Sequence, residues 1–382
     1  MTDSRKRTRR LTRRVAAGAL LAAVTATVAA PVAGAAAVPP APAGVASAPA
    51  AGPAAPRPDA LRPGALREAI AGLPDRHVSG ALVRVSGRDG RWTGTAGPSV
   101  PGADAHFRIG SVTKLFTSAV ALQLVGEGRM GVDDTVGEMA PGLLPEGYEG
   151  ITLGQLLSHT SGLQQPTCFR PGTPQEVVAS ALSCGTPTTP GSAYRYNGIN
   201  YFVVGLLIER VTGRTCTQEV HDRILRPLRL RHTSLPAAHD WSMPVPYTRA
   251  AIALPGSEEL TDVSRADPYP WAEGGMISNA PDLSRFLTAL LGGRLLEPAQ
   301  QELLFDMPDG VPGAAYSLGG VMRTELPGGV VVWGKSGSYS GYTSGVFATC
   351  DLRRVLVYSI NPTGRDETKE RERIMRVAGA AF

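Results

Sequence analysis

The hydrophobic pattern of this chain changes period twice. Residues 78–86 and 91–97 are short alternating or β-branched runs, separated by Gly87-Arg88-Asp89-Gly90, which has the chemistry of a hairpin turn. A short helix is expected just before them, over 62–72. From residue 111 the spacing becomes helical, with an apolar helix reaching Gly126. Further helices are predicted over 151–163, 200–213, 215–228, 282–291 and 298–305. Alternation then returns: 330–333, 344–349 and 355–360 read as an antiparallel meander, and 365–377 as a charged amphipathic closing helix. With strands at both ends and helices between, the pattern predicts an α+β fold. An antiparallel sheet is flanked by helices, built from about 64–125 and 272–382, with an all-helical lobe over about 126–271 inserted.

The first 63 residues stand outside that pattern. Residues 1–14 carry seven basic groups against Asp3, and 15–37 are almost wholly small or apolar, ending near Ala33-Gly34-Ala35. This is the three-part layout of a secretory signal, so residues 1–37 are expected to be removed on export. Arg9-Arg10 and Arg13-Arg14 leave both the general and the twin-arginine routes open. An alanine-dominated stretch is a poor membrane anchor, and no stable span is expected after removal. Residues 38–63 are alanine, proline and glycine with little else, and read as a disordered linker. The charge argument changes accordingly. Residues 1–14 hold a net +6 of a chain whose total is +5, which leaves the remainder near −1. Nucleic-acid binding loses its support. The expected product is a secreted or wall-associated monomer.

Three candidate signals carry less than they first suggest. Gly126-Glu127-Gly128-Arg129-Met130-Gly131 is formally a G-x-G-x-x-G, but it follows a helix instead of a strand and is expected to be a helix end and turn. The four cysteines, Cys168, Cys184, Cys216 and Cys350, include no C-x-x-C pair, and the six histidines show no metal-binding spacing, so neither a metal nor another cofactor is expected. Cys168 and Cys184 bracket a proline-rich excursion that a disulfide would close; three pairings are open, as are free thiols. His159, at a helix end before a glycine turn, reads as a structural hydrogen-bonding residue more readily than as a general base.

The chemistry concentrates around Ser111 and Lys114, three residues apart where a loop becomes a helix. Side chains at i and i+3 share a helix face, so the amine reaches the hydroxyl. The helix N-terminus adds unpaired N–H groups and partial positive charge. Only four of the 38 basic residues are lysines, Lys6, Lys114, Lys335 and Lys369. Lysine can give up its proton where arginine cannot, so lysine at 114 is informative in an arginine-biased chain. A second lysine lies in Gly334-Lys335-Ser336-Gly337-Ser338, on or after a strand, where glycines let a substrate backbone approach. Tyr196 lies just before a helix; a phenol in a cationic pocket can act as general acid and base.

Together these segments resemble the penicillin-recognising serine hydrolases: serine-type D-Ala-D-Ala carboxypeptidases, class C β-lactamases and related esterases. The resemblance covers about 66–362 in order, through GSVTK at 110–114, LLSHTSGL at 156–163, NYFVVGLLIERVTG at 200–213, WAEGGMISNAPDL at 271–283 and GKSGSYSGY at 334–342. It is greatest to secreted Streptomyces-type DD-carboxypeptidases. It implies a β-lactamase/transpeptidase-type sandwich with Ser111 as nucleophile, Lys114 as its partner and Tyr196 as the proton shuttle. Lys335, Ser336 and Gly337 form the third motif, the Ser111 and Ser338 N–H groups the oxyanion hole, and Trp271 a pocket wall. One departure stands out. The family pattern Tyr-x-Asn falls on Tyr196-Asn197-Gly198, so glycine replaces the asparagine that holds the acyl-side amide. Asn197 is the candidate to turn inward and compensate. No glutamate-bearing deacylation loop of the class A type is recognisable.

The resulting expectation is an exported acyl-transfer hydrolase acting on a small peptide, a β-lactam or an ester. D-Ala-D-Ala peptide stands first among them, with β-lactamase and small-ester hydrolase as alternatives. A non-catalytic cell-wall binding protein is the reading from another class, and the full set Ser111, Lys114, Tyr196 and Lys335 argues against it.

Overall fold

The computed structural model describes residues 60–163, 170–185, 188–265 and 270–382. The predicted signal and nearly all of the linker lie outside these, as does Cys168. Four labelled helices and six strands suffice to place the site: β1 (Val78–Gly87), β2 (Gly90–Ala96), α1 (Thr113–Gly126), α2 (Ile199–Thr212), α3 (Ala280–Leu291), β3 (Met322–Glu325), β4 (Val331–Tyr339), β5 (Tyr342–Ala348), β6 (Val355–Pro362) and α4 (Glu367–Ala381). The strands form one six-stranded antiparallel sheet in the order β2-β1-β6-β5-β4-β3. Chain ends far apart in sequence meet where β1 pairs with β6, Ala81 opposite Ile360 and Val83 opposite Tyr358. That is the α+β architecture expected, with the sheet built from both ends.

Side-chain alternation distributes the sheet between two cores. On β6, Val355 and Val357 join the larger core with Phe116, Leu122, Phe286 and Tyr342. Their neighbours Leu356, Tyr358 and Ile360 join a second core with Leu66 and Val377, under the helices at the two ends of the folded part. Every residue of β6 is buried, as a strand covered on both faces must be. Helix α1 runs through the larger core. Eleven of its fourteen residues are buried, and its ring partner is α3, with Phe116 stacked on Phe286 at 3.7 Å. A helix buried on nearly all sides belongs in an interior, so the Ser111 segment is anchored in the larger core.

Several element expectations shift. The helix predicted over 151–163 is one turn and a half, Leu153–Leu157, started by a Thr152/Gln155 capping box. The one predicted over 215–228 is Cys216–Val220 continued by a π turn, His221–Leu225. The inserted lobe is not all helical: Ala251–Ala253 pairs with Leu260–Asp262 as a small hairpin. β3 escaped the sequence reading because MRTE has no apolar face long enough to show a period. Gly126 does end α1, and Gly128 takes φ +68°, so the glycine-rich stretch is a helix end and turn.

Candidate active site

Two glycines set the position of the nucleophile. Ser111 lies in a single 3-10 turn, Gly110–Val112, that runs directly into α1. Gly110 has φ +49°, and a Cβ there would stand 2.5 Å from Ser338 O and 2.8 Å from Ser338 N. A Cβ on Gly337 would stand 2.0 Å from Ile109 O and 2.9 Å from Ser111 N. Turn and strand therefore pack backbone against backbone, which glycine alone allows. Ser344 Oγ fastens the same junction by donating to Ile109 O at 2.9 Å. The Ser111 and Ser338 amides are brought alongside each other, the arrangement an oxyanion hole needs. β3 pairs only with Val331–Gly334 of β4, so the edge of β4 from Lys335 onward is left open beside Ser111.

The side chains at Ser111 form one hydrogen-bonded set. Lys114 is fully buried, and its Nζ donates to Ser111 Oγ at 3.1 Å, to the Glu273 carbonyl at 2.7 Å and to the Glu273 carboxylate. An ammonium serves all of these contacts as a donor. Ser111 Oγ accepts from Lys114 and, at 2.8 Å, from the Tyr196 hydroxyl. Burial pushes the Lys114 amine down, but Glu273 and Tyr196 outweigh it and hold the group above the ordinary lysine value. Burial pushes the Tyr196 phenol up, yet Lys114 and Lys335 prevail and hold it below the ordinary tyrosine value. Both cations sit over its ring, at 5.3 and 5.0 Å from the centroid. The raised value runs against the sequence-based expectation that Lys114 gives up its proton. Tyr196, in contact with Oγ and held below its ordinary value, is the group placed to exchange a proton with Ser111.

Lys335 is also buried, and desolvation pushes its amine below the usual value against the pull of Tyr196. It lies over the Tyr316 ring at 5.5 Å and donates to Ser336 O at 2.5 Å. Ser336 is half-buried and Ser338 exposed on the open part of β4. His159 lies beneath the site, its ring 4.4 Å from that of Tyr196 and 4.8 Å from that of Tyr316. Its Nδ1 accepts from Asn197 N at 3.2 Å and Asn200 Nδ2 at 3.0 Å, which puts the ring proton on Nε2. Burial and the two lysines press its pKa well below the usual value, so it is a neutral support for Tyr196. His159 (φ 60°) and Trp271 (φ 38°) both hold left-handed backbone at this site, where such strain is commonly stored.

Asn197 does not compensate for Gly198. Its side chain is buried, donating to Leu163 O at 3.1 Å and accepting from Ile199 N at 3.0 Å. It ties the start of α2 to the preceding loop and is not presented to Ser111. The expectation of a substrate contact is corrected on that ground. Trp271 is half-buried and packs against α2; a Cβ at Gly205 would meet its ring at 2.7 Å, and the Phe202 ring is 5.8 Å away.

A residue absent from the sequence reading is Glu273, two positions after Trp271. The one-turn helix Trp271–Gly274 lies beside α1, with Thr117 Oγ1 donating to Ala272 O at 2.7 Å, and it delivers Glu273 to Lys114. The signal was the acid in the otherwise apolar WAEGG segment, taken together with the unexplained glycine at 198. A Cβ at Gly198 would stand 3.1 Å from the Glu273 carboxyl carbon and Oε2. Tyr316, likewise unforeseen, walls the pocket against Tyr196 at 5.7 Å and Tyr194 at 6.1 Å. Cys184 is disulfide-bonded, while Cys216 and Cys350 are free thiols. The expected partner Cys168 falls outside the described residues.

A family model described as Beta-lactamase matches residues 66–380. The chain belongs to that family. It is a serine hydrolase of the β-lactamase and penicillin-binding-protein type, with the fold expected. Among curated relatives, Penicillin-binding protein 4 of Amycolatopsis lactamdurans is 27% identical over 283 residues, 68% of each chain. Among solved structures, a D-stereospecific amidohydrolase from a Streptomyces species is similar with a TM-score of 0.74 and 33% identity, covering 84% of this chain and 98% of that one. D-amino acid amidase from Ochrobactrum anthropi is similar in fold, with a TM-score of 0.71 at 22% identity, covering 83% and 97%.

Proposed function

We propose that this β-lactamase-family chain is an exported amidohydrolase that cleaves amides of D-configured acyl donors through an acyl-enzyme on Ser111. The observation that carries the reading is the pair of contacts on Ser111 Oγ: the Lys114 amine on one side and, on the other, the Tyr196 hydroxyl, which two lysines hold below the ordinary tyrosine value. Likeness to a D-stereospecific amidohydrolase over nearly that whole chain supports the choice of amide and configuration. The basic, then apolar N-terminal segment supports export.

In the reaction, Ser111 Oγ attacks the amide carbon while its proton passes to the Tyr196 phenolate. The carbonyl oxygen becomes an oxyanion between the Ser111 and Ser338 N–H groups. Tyr196 then protonates the leaving amine as the C–N bond breaks, which restores the phenolate. Water repeats the sequence in deacylation: it gives a proton to Tyr196 and its oxygen to the acyl carbon, and Tyr196 returns a proton to Ser111. Lys114 stays an ammonium throughout and holds Oγ and Tyr196 in register.

D-Ala-D-Ala carboxypeptidase activity is a second reading because Lys335 beside Ser336 suits a C-terminal carboxylate. The test is turnover of D- and L-alanine p-nitroanilide by the purified folded chain, with mass spectrometry of Ser111 and a labelled penicillin in parallel. D-selective turnover with an acyl adduct that Ser111→Ala abolishes is the expected result. Equal handling of both enantiomers, or full activity in Ser111→Ala, would refute the reading. Release of C-terminal D-alanine from an N-acylated dipeptide without anilide turnover would favour the second.

A further inference from the structure

The Glu273 carboxylate is only half committed. One oxygen, Oε2, accepts from Lys114; Oε1 accepts no hydrogen bond from any described residue, and the side chain is 20% exposed. An acceptor-only anion, partly exposed, therefore stands one ammonium away from the nucleophile. This placement is unfavourable for acyl transfer unless something offsets it, because the oxyanion forms nearby and like charges repel.

Gly198 bears on the same point. Its backbone is ordinary right-handed helix, φ −63° and ψ −31°, so its conformation does not call for glycine. Its space favours glycine. A Cβ there would lie 3.1 Å from Oε2 and 3.4 Å from Oε1 of Glu273, so the carboxylate would have to shift by a few tenths of an ångström. Glycine at 198 and glutamate at 273 thus act as a pair: one clears the volume that the other's charge occupies.

The geometry points to a free α-ammonium as the group this pair receives: we propose that Glu273 binds the unacylated α-amine of the acyl donor, making the enzyme specific for D-aminoacyl amides with a free N-terminus. Lys114 Nζ bonds both Ser111 Oγ and Glu273, so nucleophile and carboxylate stand one ammonium apart. In an α-aminoacyl group the ammonium nitrogen is two bonds from the reacting carbonyl carbon, about 2.5 Å. A carbonyl seated on Ser111 therefore carries its ammonium into the neighbourhood of Oε1, which can accept a charge-assisted hydrogen bond while Oε2 keeps Lys114. The incoming cation also offsets the carboxylate as the oxyanion develops. An N-acyl donor brings no such charge, and it places a bulkier neutral amide against the anion. The acylamino group of a penicillin or of an N-acyl-D-Ala-D-Ala peptide is disfavoured by the same contact. The inference rests on the acyl-enzyme reading above and narrows its substrate.

The test is kcat/KM for D-alanine p-nitroanilide and for its N-acetyl derivative, in the wild type, Glu273→Gln and Gly198→Ala, across pH. The wild type is expected to prefer the free amine by roughly 10- to 100-fold, the range for a hydrogen bond to a charged group. Its rate on that substrate should fall at high pH as the substrate's ammonium deprotonates, a limb the N-acetyl substrate lacks. Glu273→Gln should remove most of the preference and flatten that limb, with Gly198→Ala moving in the same direction without altering either charge. Equal wild-type turnover of the two substrates overturns the inference and leaves the acyl-enzyme reading standing. So does an equal loss on both in Glu273→Gln, which would assign Glu273 to Lys114 alone. If neither D-anilide acylates Ser111, the parent reading has failed and this one with it.

Discussion

Tyr196→Phe removes one oxygen and little else. The ring keeps its place against His159 at 4.4 Å and under Lys114 and Lys335 at 5.3 and 5.0 Å, so packing and cation–π contacts persist. What disappears is the 2.8 Å contact of the phenol oxygen with Ser111 Oγ. The stability change should be small, about 1 kcal/mol, the scale of one hydrogen bond. The kinetic change should be large. Losing the general base should slow acylation by about 10²- to 10⁴-fold, equal to about 3–5 kcal/mol of barrier. Stopped-flow release of p-nitroaniline measures it, with thermal unfolding as the control for folding. The pH profile adds a second readout. The wild-type rate should rise with pH as the phenol ionises, with its midpoint below the ordinary tyrosine value because both lysines favour the phenolate. The variant should lack that limb. Acylation within about tenfold of wild type, with the limb intact, would return the role of base to Lys114.

Two further outcomes follow from the same geometry. Gly337→Ala places a methyl 2.0 Å from Ile109 O, a backbone atom that cannot swing away, so β4 must retreat from the turn. A shift on the order of 1 Å at the reacting centre should lower kcat about 100-fold, whereas KM for a p-nitroanilide should change much less; unchanged kcat would show that the junction is not tight. His159 should make the fold acid-sensitive. Its folded pKa lies well below the usual value, so below about pH 6.5 the unfolded chain binds the extra proton and stability falls. Above that value the contribution is fully present. Chemical denaturation between pH 7 and 5 should show a decline of up to about 1.4 kcal/mol per unit attributable to this group, absent in a folded His159→Asn variant.

Much of this site was legible in the sequence because its chemistry is local. Ser111 and Lys114 are fixed relative to each other by one helical turn, and the scarcity of lysine made Lys114 and Lys335 conspicuous. The meander and the return of the sheet at 355–360 were legible because β6, covered on both faces, reads as a continuous apolar run. The illegible parts depend on distant contacts. Asn197 and Gly198 are adjacent, yet one is spent on Leu163 O and Ile199 N while the other makes room for a carboxylate 75 positions later in the sequence. No periodicity reports such pairings. β3 was missed for a related reason: its burial alternates only between half-buried and exposed, so its register comes from β4 and not from its own residues.

The protonation state of Lys114 shows how one distant residue reverses a local inference. With only Ser111 in view, a desolvated lysine three residues on looks like an amine ready to take a proton. Glu273 changes the balance by supplying two acceptors, its carbonyl and its carboxylate, to a nitrogen with no exposure to water. The proton stays on the nitrogen, and the basic role moves to the phenol between two ammoniums. Once Tyr196 has ionised, two cations face one carboxylate and one phenolate. When Ser111 attacks, the proton neutralises Tyr196 and the negative charge reappears on the carbonyl oxygen, so the pocket's net charge is unchanged and only its location moves. A substrate that adds its own ammonium next to Glu273 fills the one acceptor still open and shields the new oxyanion from the carboxylate. The substitution at 198 that looked like a lost substrate contact is then better understood as half of an exchanged one: a neutral amide contact given up and an anionic site for an amine gained.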